Sequence, residues 1–239
     1  MSGRDAILAR IRAATGGATG EATEWLAARP RGPPPARAAD DPLERFAAEA
    51  RAAGSTVAGP VPPDDVPAEI AEWLVGENLP ARLAASPDPA LDRYPWSSRP
   101  LLTLERRRAE PEDRVALTPC FAGVAETGTL AMLSGPERPV TLNFLPEAHI
   151  ALVRTRDLAG AYEDLWERVR AAGEPPRTVN LITGPSRSAD IGQELRMGAH
   201  GPRRLHIVLV DDEQAENIVD DEQAKNIDDD GQAEGSDDG

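Results

Sequence analysis

The chain has 239 residues and a mass of 25.5 kDa, enough for one domain with a full core that needs neither disulfides nor a structural metal. A single cysteine, Cys120, excludes an intramolecular disulfide, a four-thiolate iron–sulfur cluster and a cysteine-rich zinc site, and a lone lysine, Lys225, leaves the body without a Schiff-base or Walker-loop lysine. The formal charge of −15 divides into −12 over residues 211–239 and −3 over the rest, so no basic face is available for nucleic acid.

Residues 3–14 carry Ile7, Leu8 and Ile11 on one side and predict a short amphipathic helix. Glycine, threonine and proline then dominate as far as Pro33-Pro34-Pro35, so residues 1–39 read as a helix followed by a flexible arm. A helix is expected over 42–53, with Leu43, Phe46, Ala47 and Ala50 inward and Gly54 as its stop. A strand at 55–58, a helix at 66–75 and a strand at 82–85 follow. This alternation predicts an α/β layer structure. The stretch 115–153 is different, with β-like runs at 121–124, 129–133, 140–144 and 150–153. After it come a helix over 158–171, a strand over 178–183, a helix over 188–196 and a closing strand over 205–210.

The last 29 residues repeat with a period of nine, from Asp211-Asp212-Glu213-Gln214-Ala215 to Asp229-Asp230-Gly231-Gln232-Ala233. Dense like charge with few apolar side chains predicts disorder there. The acids do not follow the alternating ligand spacing of a calcium loop. No run approaches 18 apolar residues and the N-terminus is not a signal peptide, so a cytoplasmic protein is expected, with no membrane partner.

Three segments could carry chemistry. Thr183-Gly184-Pro185-Ser186-Arg187-Ser188-Ala189-Asp190 follows an apolar strand and is expected to open a helix, whose free N–H groups, with Ser186, Ser188 and Arg187, would suit a carboxylate or phosphate. The plainer reading makes Ser188 or Asp190 a helix cap and leaves Arg187 in water. Gly198-Ala199-His200-Gly201-Pro202 places His200 in a loop, as a general acid or base or as an ordinary hydrogen-bonded residue. Glu126-Thr127-Gly128-Thr129 sets a carboxylate at a tight connection, as a nucleophile or base, or merely as hairpin chemistry. His149 and His206 read as structural, and Cys120 as an inert buried thiol. Three histidines do not advertise a metal site, and none is expected.

These three segments, together with Leu145-Pro146-Glu147-Ala148-His149-Ile150, occur in the order and spacing of the LUD domain, and the chain resembles the lactate-utilisation protein C family over about residues 40–210. It departs from that pattern at Ser188, where threonine is usual, at Gly192-Gln193, and in the acidic repeat. The resemblance implies a three-layer α/β fold, a sheet with flanking helices, like that of the ribose-phosphate isomerase, glucosamine-phosphate deaminase and CoA-transferase group. It also implies a subunit of a cytosolic system that oxidises L-lactate to pyruvate with iron–sulfur partner proteins, this chain binding no cofactor itself. In that reading a small carboxylate or phosphate is held by Thr127, Gly128, Thr129, Thr183, Gly184, Pro185, Ser186, Arg187, Ser188, Asp190 and Gly201, with Glu126 and His200 catalytic. The alternative is a free-standing acyl- or CoA-transferase that uses Glu126, although an oxyanion-stabilising glycine-rich stretch is missing.

Overall fold

A computed structural model describes residues 3–15, 41–189, 195–197 and 201–211. Asp190, His200, the Pro-rich arm and the acidic repeat beyond Asp211 lie outside the described residues, and so do the expectations placed on them. Helix α1 (Gly3–Thr15) forms where the apolar spacing predicts it, with Ile7 and Ile11 exposed. It belongs to a separate compact unit, and the remainder is described by itself.

The body is built on a six-stranded sheet whose described pairings are all parallel. It contains β1 (Thr56–Val61), β2 (Arg82–Ala85), β3 (Thr103–Arg106), β4 (Val115–Pro119), β7 (Ala148–Arg154) and β12 (Arg204–Val210), in the spatial order β1-β12-β7-β4-β2-β3. The runs in β7 and β12 are apolar on both faces, as expected of strands covered on both sides. On one face Ile150, Leu152, Val208 and Val210 meet Val66, Ile70 and Leu74 of helix α3 (Val66–Gly76). On the other face Ala151, Val153, Leu205, Ile207 and Leu209 pack against Phe46, Ala47 and Ala50 of helix α2 (Pro42–Ala52) and against Leu130 and Met132 of a second sheet.

The second sheet has four strands in the order β8-β5-β6-β9: β5 (Ala122–Val124), β6 (Thr129–Leu133), β8 (Leu158–Ala159) and β9 (Val179–Ile182). Helix α5 (Tyr162–Ala171) covers its remaining face through Leu165 and Val169. One face of the large sheet therefore carries a helix and the other carries a second sheet with α2. That is a mixed α/β architecture with more in its second layer than flanking helices alone.

Three sequence expectations are corrected. Residues 140–144 are not a strand: a single helical turn, α4 (Thr141–Phe144), follows Pro139 and buries Leu142 and Asn143 side by side, whereas a strand would alternate them. The helix expected over 158–171 starts only at Tyr162. Leu158 and Ala159 pair with β5 instead, and the Asp164 carboxylate accepts the Ala161 N–H at 3.0 Å to open the helix. The helix expected over 188–196 is replaced by an antiparallel pair, β10 (Arg187–Ala189) with β11 (Leu195–Met197), so no helix N-terminus follows the Gly184-Pro185-Ser186 turn. Strands β3 and β4 are additions that the sequence reading did not contain.

Candidate functional site

The three segments singled out in the sequence meet at the edge of the large sheet where β7 and β12 begin. Gly128, at φ +63°, lies against α2, and a Cβ built on it would stand 2.2 Å from the Ala50 nitrogen. Gly184, at φ +78°, lies just beyond the same helix, where a Cβ would stand 2.3 Å from the Ala53 carbonyl oxygen. Both turns thus need glycine for its left-handed backbone and for the closeness of the helix. Neither reason depends on a ligand.

Side-chain hydroxyls join the two turns. Thr129 Oγ1 is 2.7 Å from Thr183 Oγ1, 2.6 Å from Thr127 Oγ1 and 3.0 Å from the Tyr162 hydroxyl, which is itself 3.1 Å from Thr127 Oγ1. Thr129 is fully buried, while Thr183 is exposed and ends the chain of hydroxyls at a cavity wall. The third segment joins through the backbone: the Ser186 N–H donates to the Pro202 carbonyl at 2.8 Å, and Gly201 packs on the Ser186 side chain. His200 lies outside the described residues.

The resulting cavity has a volume of about 260 Å3. Thr183, Gly184, Pro185, Ser186 and Gly201 line one side, and Asn143 and His149 contribute polar groups from the other. Glu126 and Arg187 are not among the described lining residues. Glu126 is half-buried, and its N–H donates to the Gly160 carbonyl at 3.1 Å. The Arg187 guanidinium lies over Gly54 just past the end of α2, where helix carbonyls favour a cation. Ser188 joins the β10 backbone pairing, opposite Arg196.

His149, read from sequence as structural, is buried as that reading expects; what the reading did not foresee is its place at the cavity wall. Its ring is fully buried, Nε2 is 2.7 Å from the Thr118 hydroxyl, and the buried Nδ1 has no hydrogen-bond partner. Burial pushes its pKa down to about 4, so near neutral pH the ring is an uncharged hydrogen-bonding group at the cavity wall. Its position just inside the strand start, after Leu145-Pro146-Glu147, is the one signal that could have found it. Asn143 escaped for another reason, because it sits in the turn read as a strand. A cavity with neutral donors and acceptors on an otherwise apolar wall suits a small polar molecule. Among the described residues no three His, Cys, Asp or Glu side chains come together as a metal site.

His206 is also built into the core, away from the cavity. Its ring stacks on Trp73 with centroids 4.5 Å apart, and Nδ1 lies 2.8 Å from the Thr56 hydroxyl. Cys120 gives its thiol to the Ala122 carbonyl, and burial pushes its pKa up to about 12, as suits an inert thiol.

Over 125 residues the chain is 32% identical to lactate utilization protein C of Geobacillus thermodenitrificans, covering 49% of this chain and 50% of that one. Over 89 residues it is 40% identical to an uncharacterised protein of Neisseria meningitidis, covering 37% of this chain and 38% of that one. The chain therefore spans half or less of the length of these curated relatives. The crystal structure of a DUF162 family protein from Deinococcus radiodurans shares the fold, with a TM-score of 0.52 and 24% identity, covering 74% of this chain and 99% of that one. The LUD domain matches residues 45–210, from α2 to the end of β12 and across all three converging turns, and the chain belongs to the LUD domain family.

Proposed function

We propose that this protein serves lactate utilisation as a subunit without redox groups of its own, and that it holds a small 2-hydroxy or 2-oxo acid in the cavity beside Thr183 and Ser186. The observation that carries this reading is that the Thr183–Ser186 and Gly201–Pro202 segments line one cavity, with Thr129 hydrogen-bonded to Thr183 behind its wall, reinforced by the name of the Geobacillus relative. Hydroxyls at Thr183 and Ser186 and the Asn143 amide supply hydrogen bonds for a carboxylate and its neighbouring oxygen, with the buried His149 ring behind them. One cysteine cannot ligate an iron–sulfur cluster alone, so the electrons of lactate oxidation pass to iron–sulfur partner proteins in this proposal. No helix of the described residues is long and apolar enough to cross a membrane, and we assign the work to the cytoplasm. Kinship with the isomerase, deaminase and CoA-transferase group of folds belongs to the same proposal.

Calorimetry with L-lactate and with pyruvate tests the ligand. The full chain is expected to bind one of them, and Ser186→Ala is expected to weaken that binding by about 1 kcal/mol, the net worth of one hydrogen bond. Co-purification with proteins that carry iron–sulfur absorbance tests the partners. No heat with either acid and no such partner would together overturn the proposal.

A further inference from the structure

The cavity beside Ser186 has a wall that lactate matches poorly. Phe144, Ile182, Pro185, Pro202 and Leu205 line it, and among the described residues no side chain charged near neutral pH does. Asn143, Thr183 and Ser186, which offer it hydrogen bonds, are neutral. A carboxylate bound among them meets no opposite charge on that wall, so charge pairing supplies little of the affinity. Apolar surface must supply the rest, and lactate offers it one methyl group. The volume of about 260 Å3 lies just below the range of about 300–1,000 Å3 usual for sites that enclose a drug-sized ligand.

Two large apolar residues of this lining stand outside the core. Phe144 is 41% exposed and Leu181 is 43% exposed. The single turn of α4 buries Leu142 and Asn143 and leaves Phe144 beyond them, with the exposed Leu145 next to it. Leu181 belongs to β9, the edge strand of the second sheet, where its neighbours Asn180 and Ile182 are less exposed. A lone exposed apolar side chain is ordinary on a protein surface. Two at one cavity, beside Ile182 and Leu205, make a continuous apolar lining, and such a lining marks a surface kept for a ligand with apolar surface of its own.

We propose that the ligand of this cavity is a 2-hydroxy or 2-oxo acid with an aliphatic chain longer than lactate's methyl, and that Phe144 and Leu181 set this preference. The inference rests on the function proposed above, in which Asn143, Thr183 and Ser186 hold the carboxylate and its neighbouring oxygen. The chain lies along the apolar lining and removes it from water, a gain that grows with every methylene. Lactate is then the member of the class that binds most weakly.

The test is calorimetry on the full chain with L-lactate, 2-hydroxybutanoate, 2-hydroxypentanoate and 2-hydroxyhexanoate, and with the matching 2-oxo acids. Affinity is expected to rise by about threefold with each added methylene, a little less than a fully buried methylene gives. Raising the salt should change it little, because no charge pair is there to be screened. Phe144→Ala and Leu181→Ala, at half-exposed positions, should each cut the ratio of 2-hydroxyhexanoate to lactate affinity by about threefold. Leu101→Ala, at a position that is 85% exposed and does not line the cavity, should leave that ratio unchanged. Lactate binding that longer acids only equal or fall below would overturn this inference and leave the proposed function standing. No binding of any acid would overturn both. A rise with chain length that neither substitution reduces, or a steep fall with salt, would also overturn the inference.

Discussion

Gly128 and Gly184 hold the candidate site together by having no side chain. Each adopts a positive φ, and each faces the last turn of α2 or the residue just after it, closer than any Cβ could stand. Gly128→Ala is therefore expected to cost about 2–3 kcal/mol, combining left-handed strain with displacement of the Ala50 backbone. Thermal unfolding should record this as a loss of about 5–10 °C, since 1 kcal/mol moves the midpoint of a domain this size by about 2–4 °C. Gly135 is the control. A Cβ there meets nothing within 4 Å, and Gly135→Ala should leave the midpoint within about 2 °C of wild type. Equal losses from both substitutions would show that Gly128 does not carry the turn. The sequence made the tight turn at Gly128 legible, because glycine beside polar residues between two apolar runs has few other uses. It could not reveal the helix lying on that turn, because α2 is about 75 residues away along the chain.

Elements that carry their own signal were legible, and elements that owe their shape to a partner were not. Helices α2 and α3 have apolar spacing, a proline in the first turn and a stop, and they form close to where that pattern puts them. Strand β8 is two residues long and exists through its pairing with Gly123 and Val124. The β10–β11 pair likewise depends on Arg187 lying opposite Met197 and Ala189 opposite Leu195, with nothing in the local composition to favour it over a helix. Strand β3 is short and hidden among charged residues, whereas β4 is a five-residue apolar run that the sequence reading passed over. Helix α2 matters most to the site, since it backs both glycine turns. Its first turn is held by Asp41, whose carboxylate accepts the Leu43 N–H at 2.8 Å. Asp41→Ala should destabilise the protein by about 1 kcal/mol, the usual worth of such a cap. Urea unfolding should show the midpoint lowered and the slope unchanged. A changed slope would mean instead that the substitution altered the surface exposed on unfolding.

At the scale of the whole molecule, charge is settled locally rather than gathered into a face. The run Arg106-Arg107-Arg108, the most basic stretch of the body, is bound in place: Arg107 pairs with Asp113 and Glu105, and Arg106 with Asp92. Protons enter the balance through two core histidines that lie on neighbouring strands and on opposite faces of the large sheet. His149 is on the side of α2, and His206 is stacked on Trp73 of α3. Burial pushes both pKa values down to about 4, whereas the unfolded chain holds them near 6.5. Between those values the unfolded state binds more protons than the native one, so stability must fall as pH falls through that window. Above about pH 6.5 both rings are neutral in either state and the full contribution is present. At 1.36 kcal/mol per pKa unit, each ring contributes up to about 3 kcal/mol, a sizeable part of the 5–15 kcal/mol that holds an ordinary domain folded. Urea midpoints measured at steps from about pH 7.5 to about pH 4.5 should therefore decline steadily, with most of the loss above the carboxylate range. His206→Gln should remove about half of that slope even though it lowers the midpoint at neutral pH, because glutamine takes no proton in either state. A wild-type midpoint that stays level from about pH 7 to about pH 5 would show that these rings titrate alike in both states, and their burial would then no longer explain why the fold keeps them uncharged.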